Sequence, residues 1–129
     1  MTALIGPSGS GKSTLATRLA RFQEPDTGRV LLSGRDIRSL PEQELYRQVA
    51  FVLQNAQILR ESVRENIRLA VPQATDEQVI EAARKAQIWD DIAALPRGLD
   101  TVIGDETNLS GGQKQRIVIA RALLTDAPI

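Results

Sequence analysis

The sequence contains no cysteine and no histidine, and its only aromatic residues are two phenylalanines, one tyrosine and one tryptophan. The lack of cysteine excludes disulfides and thiolate metal sites. The lack of histidine removes the commonest general base and metal ligand. Because aromatic rings are so few, the hydrophobic 42% of the 129 residues predicts a core that is mainly aliphatic, in one small domain.

The chain has no excess charge of either sign. Sixteen acidic and sixteen basic residues give a net charge of zero, and they are interspersed, so binding to nucleic acid has no electrostatic support. No apolar run approaches the length of a membrane span, and because the glycine-rich motif begins almost at Met1, no signal peptide is expected before it. Work at a membrane is therefore expected to need a partner or a further segment.

A glycine-rich loop lies near the start of the chain, between the apolar residues 3–5 and a segment that predicts a helix. Where a strand turns into a helix through such a loop, backbone N–H groups converge at the positive end of the helix dipole and bind phosphate. Lys12 is expected to reach the β- and γ-phosphates, and the Ser13 hydroxyl to bind Mg²⁺. The alternative is a flexible loop that binds nothing. The loop has the pattern G-x-x-x-x-G-K-S followed by threonine, and we call it the phosphate loop: Gly6, Pro7, Ser8, Gly9, Ser10, Gly11, Lys12, Ser13 and Thr14.

Apolar runs predict three strands, at residues 2–5, 29–32 and 49–53, of which the first and last are expected to be buried. Turn residues predict chain reversals at 24–28 and 34–36. These elements alternate with helices, as in a protein with a parallel sheet.

Helices are predicted from their caps and from apolar spacing. The phosphate loop leads into a helix over residues 12–22, and Pro41 begins a short helix through Arg47. Ser62 is expected to cap a helix through Leu69, and a further helical turn covers residues 89–95. Thr75 with Gln78 and Ser110 with Gln113 form capping-box patterns, followed by stripes of buried residues at Val79, Ala83 and Ala86, and at Ile117, Ala120 and Leu124.

A second glycine motif begins the last of these helices. Leu109, Ser110, Gly111, Gly112 and Gln113 place a serine cap and two glycines at a helix N-terminus, which is a second cradle for an oxyanion. Taken alone, the motif could be simply a well-capped helix. Together with the phosphate loop it resembles the ATP-binding-cassette (ABC) family, in which residues 6–14 match the Walker A loop and residues 109–113 match the signature motif. Gln54 matches the glutamine of the family's Q-loop.

The resemblance implies a role for each matching residue. The phosphate loop would cradle the phosphates of ATP, with Lys12 as a catalytic residue and Ser13 as a ligand of Mg²⁺. Gln54 would approach the Mg²⁺ and the attacking water, and would report the nucleotide state to a membrane partner. The γ-phosphate of an ATP held by a second cassette would be contacted by Ser110, Gly111, Gly112 and Gln113.

The resemblance also implies a fold and an assembly. The fold class is α/β, with the parallel-sheet core of a P-loop NTPase in residues 1–54, a mainly helical subdomain in 55–110, and the signature helix in 111–129. Two nucleotide-binding domains would pack head to tail with ATP at their interface. They would serve a transmembrane domain, fused or separate, at the cytoplasmic face of the plasma (inner) membrane. No nucleic acid is expected as a partner.

Two further segments resemble those of exporter-type cassettes. Residues 57–67 resemble the stretch after the Q-loop, and residues 101–106 resemble the stretch before the signature motif. Both would line the groove that receives a transmembrane domain, although they could also be solvated loops. Four residues separate Gly104 from Leu109, where many exporters have five. This shorter form resembles cassettes linked to iron–siderophore handling.

The family's Walker B carboxylates, its switch histidine and the strand with the adenine-stacking aromatic residue have no match in the sequence. We therefore expect a fragment of an ATPase domain, truncated at both ends. By itself it is expected to have little ATP turnover and marginal stability. The alternatives are a non-catalytic remnant that binds ATP, a cassette of DNA repair or translation, and a small-molecule kinase. A kinase has no need of residues 109–113.

Overall fold

The computed structural model describes residues 3–52 and 57–128. The chain divides into two units, Met1–Val49 and Ala50–Ile129. Across the described ranges, no helix has both the length and the apolar character that crossing a membrane requires. In chain order the elements are α1 (Lys12–Leu19), β1 (Leu31–Leu32), β2 (Arg35–Asp36), a 3-10 turn (Ile37–Ser39), α2 (Glu42–Gln48), α3 (Val63–Arg68), α4 (Asp76–Lys85), α5 (Trp89–Ala93), a second 3-10 turn (Gly98–Asp100) and α6 (Gly111–Leu124).

The first unit contains α1, a short β-hairpin and α2. In the hairpin β1 and β2 pair antiparallel, with Leu31 opposite Asp36. Ser33 and Gly34 connect them with φ values of 50° and 80°, as a two-residue hairpin turn requires. The strand predicted at 29–32 is thus limited to Leu31–Leu32, and the turn predicted at 34–36 lies at 33–34. The small core of the unit consists of Ile37, Leu40 and Leu45, with Val30, Leu32 and Val49 packed against it.

Two of the predicted strands are not formed. Residues 3–5 and 49–52 belong to no strand, and Ile5 is 92% exposed rather than buried; Thr2 and Leu53 lie outside the described residues. A strand forms only where a neighbour accepts its backbone hydrogen bonds, and β1 and β2 are the only paired strands in the described ranges. The parallel sheet is therefore not formed by these residues. The helix predicted over 12–22 ends at Leu19, and its apolar residues Leu15 and Leu19 are exposed.

The second unit is helical, and most of its predicted boundaries are confirmed. α6 packs against α3 and α4. The Ser62 hydroxyl caps α3 by accepting a hydrogen bond from the Glu65 N–H at 3.1 Å, and the expected capping box of Thr75 and Gln78 begins α4. The predicted helical turn at 89–95 is α5. The core is aliphatic, as predicted, and includes Val63, Ile67, Val79, Ala83, Ala86, Ile88, Ile92, Ile117 and Ala120.

Candidate functional site

The phosphate loop is folded around the ammonium group of Lys12. Nζ donates hydrogen bonds to the carbonyl oxygens of Gly6 and Pro7, both at 2.7 Å, and to the hydroxyl oxygen of Ser10 at 3.1 Å. An ammonium has three donors, and all three have acceptors here. Charge-assisted bonds of this length are among the stronger ones in proteins. The side chain is therefore held at the centre of the loop.

The backbone favours glycine at three positions of this loop. At Gly6 a Cβ atom would lie 2.8 Å from the hydroxyl oxygen of Ser10, too close for any other residue without a shift. Gly9 and Gly11 have φ values of 80° and 87°, which side chains rarely adopt. The loop conformation thus depends on the same glycines that define the sequence motif.

The N-terminus of α1 is free of any side-chain cap. Gly11 is the N-cap residue, and the first turn contains no acidic side chain. Backbone N–H groups at a helix N-terminus carry partial positive charge and bind anions, and Ser13 and Thr14 are exposed in this turn. With the ammonium of Lys12 beside them, these groups fit a phosphate.

A magnesium ion would find one hydroxyl ligand here, from Ser13. In the part of the chain that the structure describes, no three acidic side chains lie close enough together to hold a metal ion. Magnesium commonly takes most of its six oxygen ligands from substrate phosphates and water. The Ser13 hydroxyl is therefore suited to bind a Mg²⁺ ion that the nucleotide phosphates already coordinate, rather than a metal ion bound before the nucleotide.

The second glycine motif forms the predicted capping box at the start of α6. The Ser110 hydroxyl oxygen accepts a hydrogen bond from the Gln113 N–H at 3.2 Å, and Gln113 Oε1 accepts one from the Ser110 N–H at 3.0 Å. Because the Ser110 hydroxyl acts as an acceptor in this box, its own proton remains available to an incoming anion. Gly111 and Gly112 are exposed, with open space where side chains would be.

Asp91 of α5 supports this motif. Its Oδ1 atom accepts a hydrogen bond from Gln113 Nε2 at 3.0 Å, and its Oδ2 atom lies 3.7 Å from Arg116 Nη1. The same Arg116 nitrogen donates to the carbonyl oxygen of Gln87 at 3.1 Å. Gln113 is thus fixed at both ends of its amide group, which orients the N-terminus of α6.

The two segments with exporter-type sequences lie side by side. The carbonyl of Glu61 accepts a hydrogen bond from the N–H of Ile103 at 3.0 Å, and the N–H of Val63 donates to the carbonyl of Thr101 at 3.0 Å. Arg60 forms an ion pair with Asp105, and this contact raises the pKa of the Arg60 guanidinium. Both segments line a groove of about 300 Å³. They are joined to each other rather than being independent solvated loops.

The predicted site residues belong to two units, each described by itself. In the first, Gly6, Pro7 and Ser10 bond to Lys12, and in the second, Ser110 and Gln113 form the capping box. Gln54, predicted as a catalytic residue and metal ligand, lies outside the described residues. Sequence patterns did not identify Asp91, nor Asn66 and Arg121, which hydrogen-bond to the segment 57–61. The partners of Asp91 and Arg121 are distant in the chain, so only the fold identifies these two residues. The side-chain partners of Asn66 are only four to seven positions away, but they are backbone groups and so leave no residue pattern.

Comparison with known proteins places these features in a family. A family model described as "ABC transporter" matches residues 1–129. The chain is 58% identical to the Mycobactin import ATP-binding/permease protein IrtA of Mycolicibacterium smegmatis, covering 100% of the chain and 15% of that protein. It is 46% identical to the mitochondrial Iron-sulfur clusters transporter ATM1 of Kluyveromyces lactis, covering 99% of the chain and 18% of that protein.

A solved structure agrees with the sequence matches. A bacterial Atm1-family ABC exporter with ATP bound superposes with a TM-score of 0.89 at 42% identity, over 96% of this chain and 22% of that one. The expected P-loop NTPase fold of an ABC ATPase domain is thereby confirmed, as a fragment of mixed helix and sheet; its parallel sheet is not formed among the described residues. The chain spans less than a quarter of the length of each of these proteins.

Proposed function

This chain belongs to the ABC transporter family, and we propose that it is the part of a nucleotide-binding domain that holds ATP and contacts a second such domain. In the proposed whole protein, ATP binding and hydrolysis are coupled to movement of a substrate across a membrane. The observation that carries the proposal is the Lys12 ammonium, centred in a glycine loop at the uncapped N-terminus of α1.

On this proposal, ATP binds through its phosphates. The backbone N–H groups at the start of α1 and the ammonium of Lys12 neutralise phosphate charge. Lys12 has all three donors engaged, so it exchanges one acceptor for a phosphate oxygen. The bond to Ser10 at 3.1 Å is the longest of the three, and we expect it to be the one exchanged. Ser13 supplies its hydroxyl to the Mg²⁺ that accompanies the nucleotide, and that ion would offset charge on the phosphates.

The signature motif is proposed to act on the nucleotide of a second cassette. It has two exposed glycines, and its Ser110 hydroxyl oxygen accepts the Gln113 N–H, so that bond does not use the hydroxyl proton. These features suit contact with a phosphate that another chain has already bound. Gln54 is proposed to approach the attacking water, as its match to the family's Q-loop implies.

We propose that the cassette also contacts a transmembrane domain, and that this domain belongs to the same polypeptide. Four of the relatives are named as ATP-binding/permease proteins, and the chain covers only 15% of one of them. The paired segments around Glu61 and Ile103, with their groove, are the surface that we propose for this contact. The complex would lie at the cytoplasmic face of the membrane.

For the cargo we propose a compound of the mycobactin class. The support is the name of the relative at 58% identity, together with the short interval between Gly104 and Leu109. Import is the direction in that relative's name, whereas other relatives are named for export, for example the β-(1→2)glucan export protein of Agrobacterium vitis. We propose that the transmembrane domain, rather than the cassette, determines whether this protein imports or exports its substrate.

The direct test is the affinity for ATP of the full-length protein and its Lys12→Ala variant. We expect the variant to bind ATP at least about thirtyfold more weakly, because losing a charged contact to phosphate costs about 2 kcal/mol or more. Lys85→Ala is the matched control, since Lys85 is an exposed lysine that pairs with Glu81 on α4. Equal affinity of the Lys12 variant and the wild type would rule out the phosphate-loop assignment.

A further inference from the structure

Arg121 is a half-buried cation whose hydrogen bonds within the described part of the chain all go to backbone carbonyls. Its Nε atom donates to the carbonyl oxygen of Asn66 at 2.9 Å, and its two Nη atoms donate to that of Gln57 at 3.3 and 3.4 Å. Burial lowers the pKa of the guanidinium, which nevertheless stays charged at neutral pH. Among residues 3–52 and 57–128, no carboxylate forms an ion pair with it. A buried charge is expensive to maintain unless it is well bonded, so these carbonyl contacts are its compensation.

One of these carbonyls belongs to a helix end. Asn66 lies in the last turn of α3, where carbonyl groups have no partner within the helix and carry partial negative charge. Arg121 supplies the missing donor. The contact therefore fastens the end of α3 to α6 across 55 positions of sequence.

The side chain of Asn66 extends the same connection to the segment before α3. It is fully buried. Its Oδ1 atom accepts from the N–H of Leu59 at 2.8 Å, and its Nδ2 atom donates to the carbonyls of Leu59, Glu61 and Ser62 at 3.0 to 3.3 Å. Segment 57–61 is thus bonded directly to Arg121 at Gln57, and indirectly through Asn66.

We propose that Arg121 is a positioning residue that fixes segment 57–61 to the signature helix, so that the chain just after Gln54 and the motif at Ser110 move together. This rests on the function proposed above. Gln57 is three residues beyond Gln54 in the sequence. Arg121 is ten residues beyond Gly111 on α6, which is about 15 Å along a helix. A helix of this length packed on two others transmits displacement as a rigid element.

The test uses the full-length transporter with Arg121→Lys, Arg121→Met and the control Arg84→Lys. Lysine keeps the charge but cannot span the carbonyls of Gln57 and Asn66 with a planar fork. Arg84 is an exposed arginine on α4 that lies over Trp89. Three quantities are measured: hydrogen exchange of the amides in segment 57–61, the affinity for ATP, and kcat and KM of ATP hydrolysis.

For Arg121→Lys we expect amide exchange in segment 57–61 to rise at least about tenfold while exchange in α4 is unchanged. We expect kcat to fall at least about fivefold, with ATP affinity and KM retained. Arg121→Met should show the same pattern more strongly, and Arg84→Lys should match the wild type.

The proposal is overturned if exchange in segment 57–61 is unchanged in Arg121→Lys. It is also overturned if exchange rises throughout the second unit while kcat and ATP affinity fall together, since that pattern describes a purely structural residue. If neither Arg121 variant folds, the proposal is likewise overturned, because Arg121 is then a purely structural residue. A wild-type protein that does not bind ATP would instead refute the proposed function, so the two failures are distinguishable.

Discussion

Gln113 donates a hydrogen bond from Nε2 to Oδ1 of Asp91 at 3.0 Å, across 22 positions of sequence. The other end of the same amide accepts the N–H of Ser110. One glutamine therefore joins the cap of α6 to α5, and the orientation of the signature motif depends on a residue outside it.

Replacing Asp91 by alanine should weaken ATP-driven association of two cassettes without affecting ATP binding to one. We expect about a three- to tenfold loss, because a half-exposed hydrogen bond to a charged group contributes about 1 kcal/mol. Asp90→Ala is the control, since Asp90 is exposed and adjacent. Association is measured by light scattering with and without ATP. An equal effect of the two substitutions would contradict the role of Asp91.

Ser110→Ala and Thr75→Ala remove matching capping boxes from α6 and α4. Each should cost about 1 kcal/mol of stability. Only Ser110→Ala should impair ATP-driven dimerisation and hydrolysis in the full-length protein, and its single-site affinity for ATP should stay within about twofold of the wild type. If Ser110→Ala instead abolished binding of ATP to a monomer, the assignment of the motif to a second chain's nucleotide would be wrong.

Asn66→Asp should loosen the segment before α3. The substitution replaces the Nδ2 donor by a second carboxylate oxygen that faces the carbonyls of Leu59, Glu61 and Ser62. Burying an unpaired charge of this kind costs about 2 to 4 kcal/mol. Exchange of the Leu59 amide should accordingly accelerate by about thirty- to a thousandfold. Asn108→Asp makes the same change at an exposed position, and it should leave this amide unchanged.

The pKa of Asp36 is lowered from 3.8 to about 2, chiefly by its side-chain hydrogen bond with Arg38 and then by the backbone N–H of Arg38. Because the folded-state pKa is the lower one, the stabilising contribution of this contact is present above pH 4 and lost between about pH 4 and pH 2. Carboxyl titration by NMR should give a midpoint near 2 for Asp36. Arg38→Ala should raise it, whereas Arg35→Ala should not, since Arg35 pairs with Glu44.

The helix starts of the second unit could be predicted from sequence because capping is local. Ser62, Thr75 and Ser110 each bond to an N–H three residues ahead, so a few residues contain the whole interaction. The phosphate loop was predictable for the same reason, since its glycines meet local constraints: a close approach to Ser10 at Gly6 and a positive φ at Gly9 and Gly11.

The predicted strands at 2–5 and 49–53 could form only if strands from elsewhere in the chain paired with them. An apolar run indicates that a segment is suitable for a sheet, but its hydrogen bonds must come from another part of the chain, and residues 3–5 and 49–52 have no such neighbour among the described residues. Arg121 was missed for a related reason. A half-buried arginine that donates to backbone carbonyls has no sequence pattern, because the partners that the structure describes lie 55 and 64 positions away.

The three hydrogen bonds at Lys12 affect how tightly a nucleotide can be bound. A free lysine side chain samples many rotamers, and ordering it costs about 1.5 to 2 kcal/mol of conformational entropy. In this loop that entropy is lost during folding, when Gly6, Pro7 and Ser10 immobilise the ammonium. The incoming phosphate therefore meets a preorganised cation, and more of the electrostatic attraction is expressed as affinity.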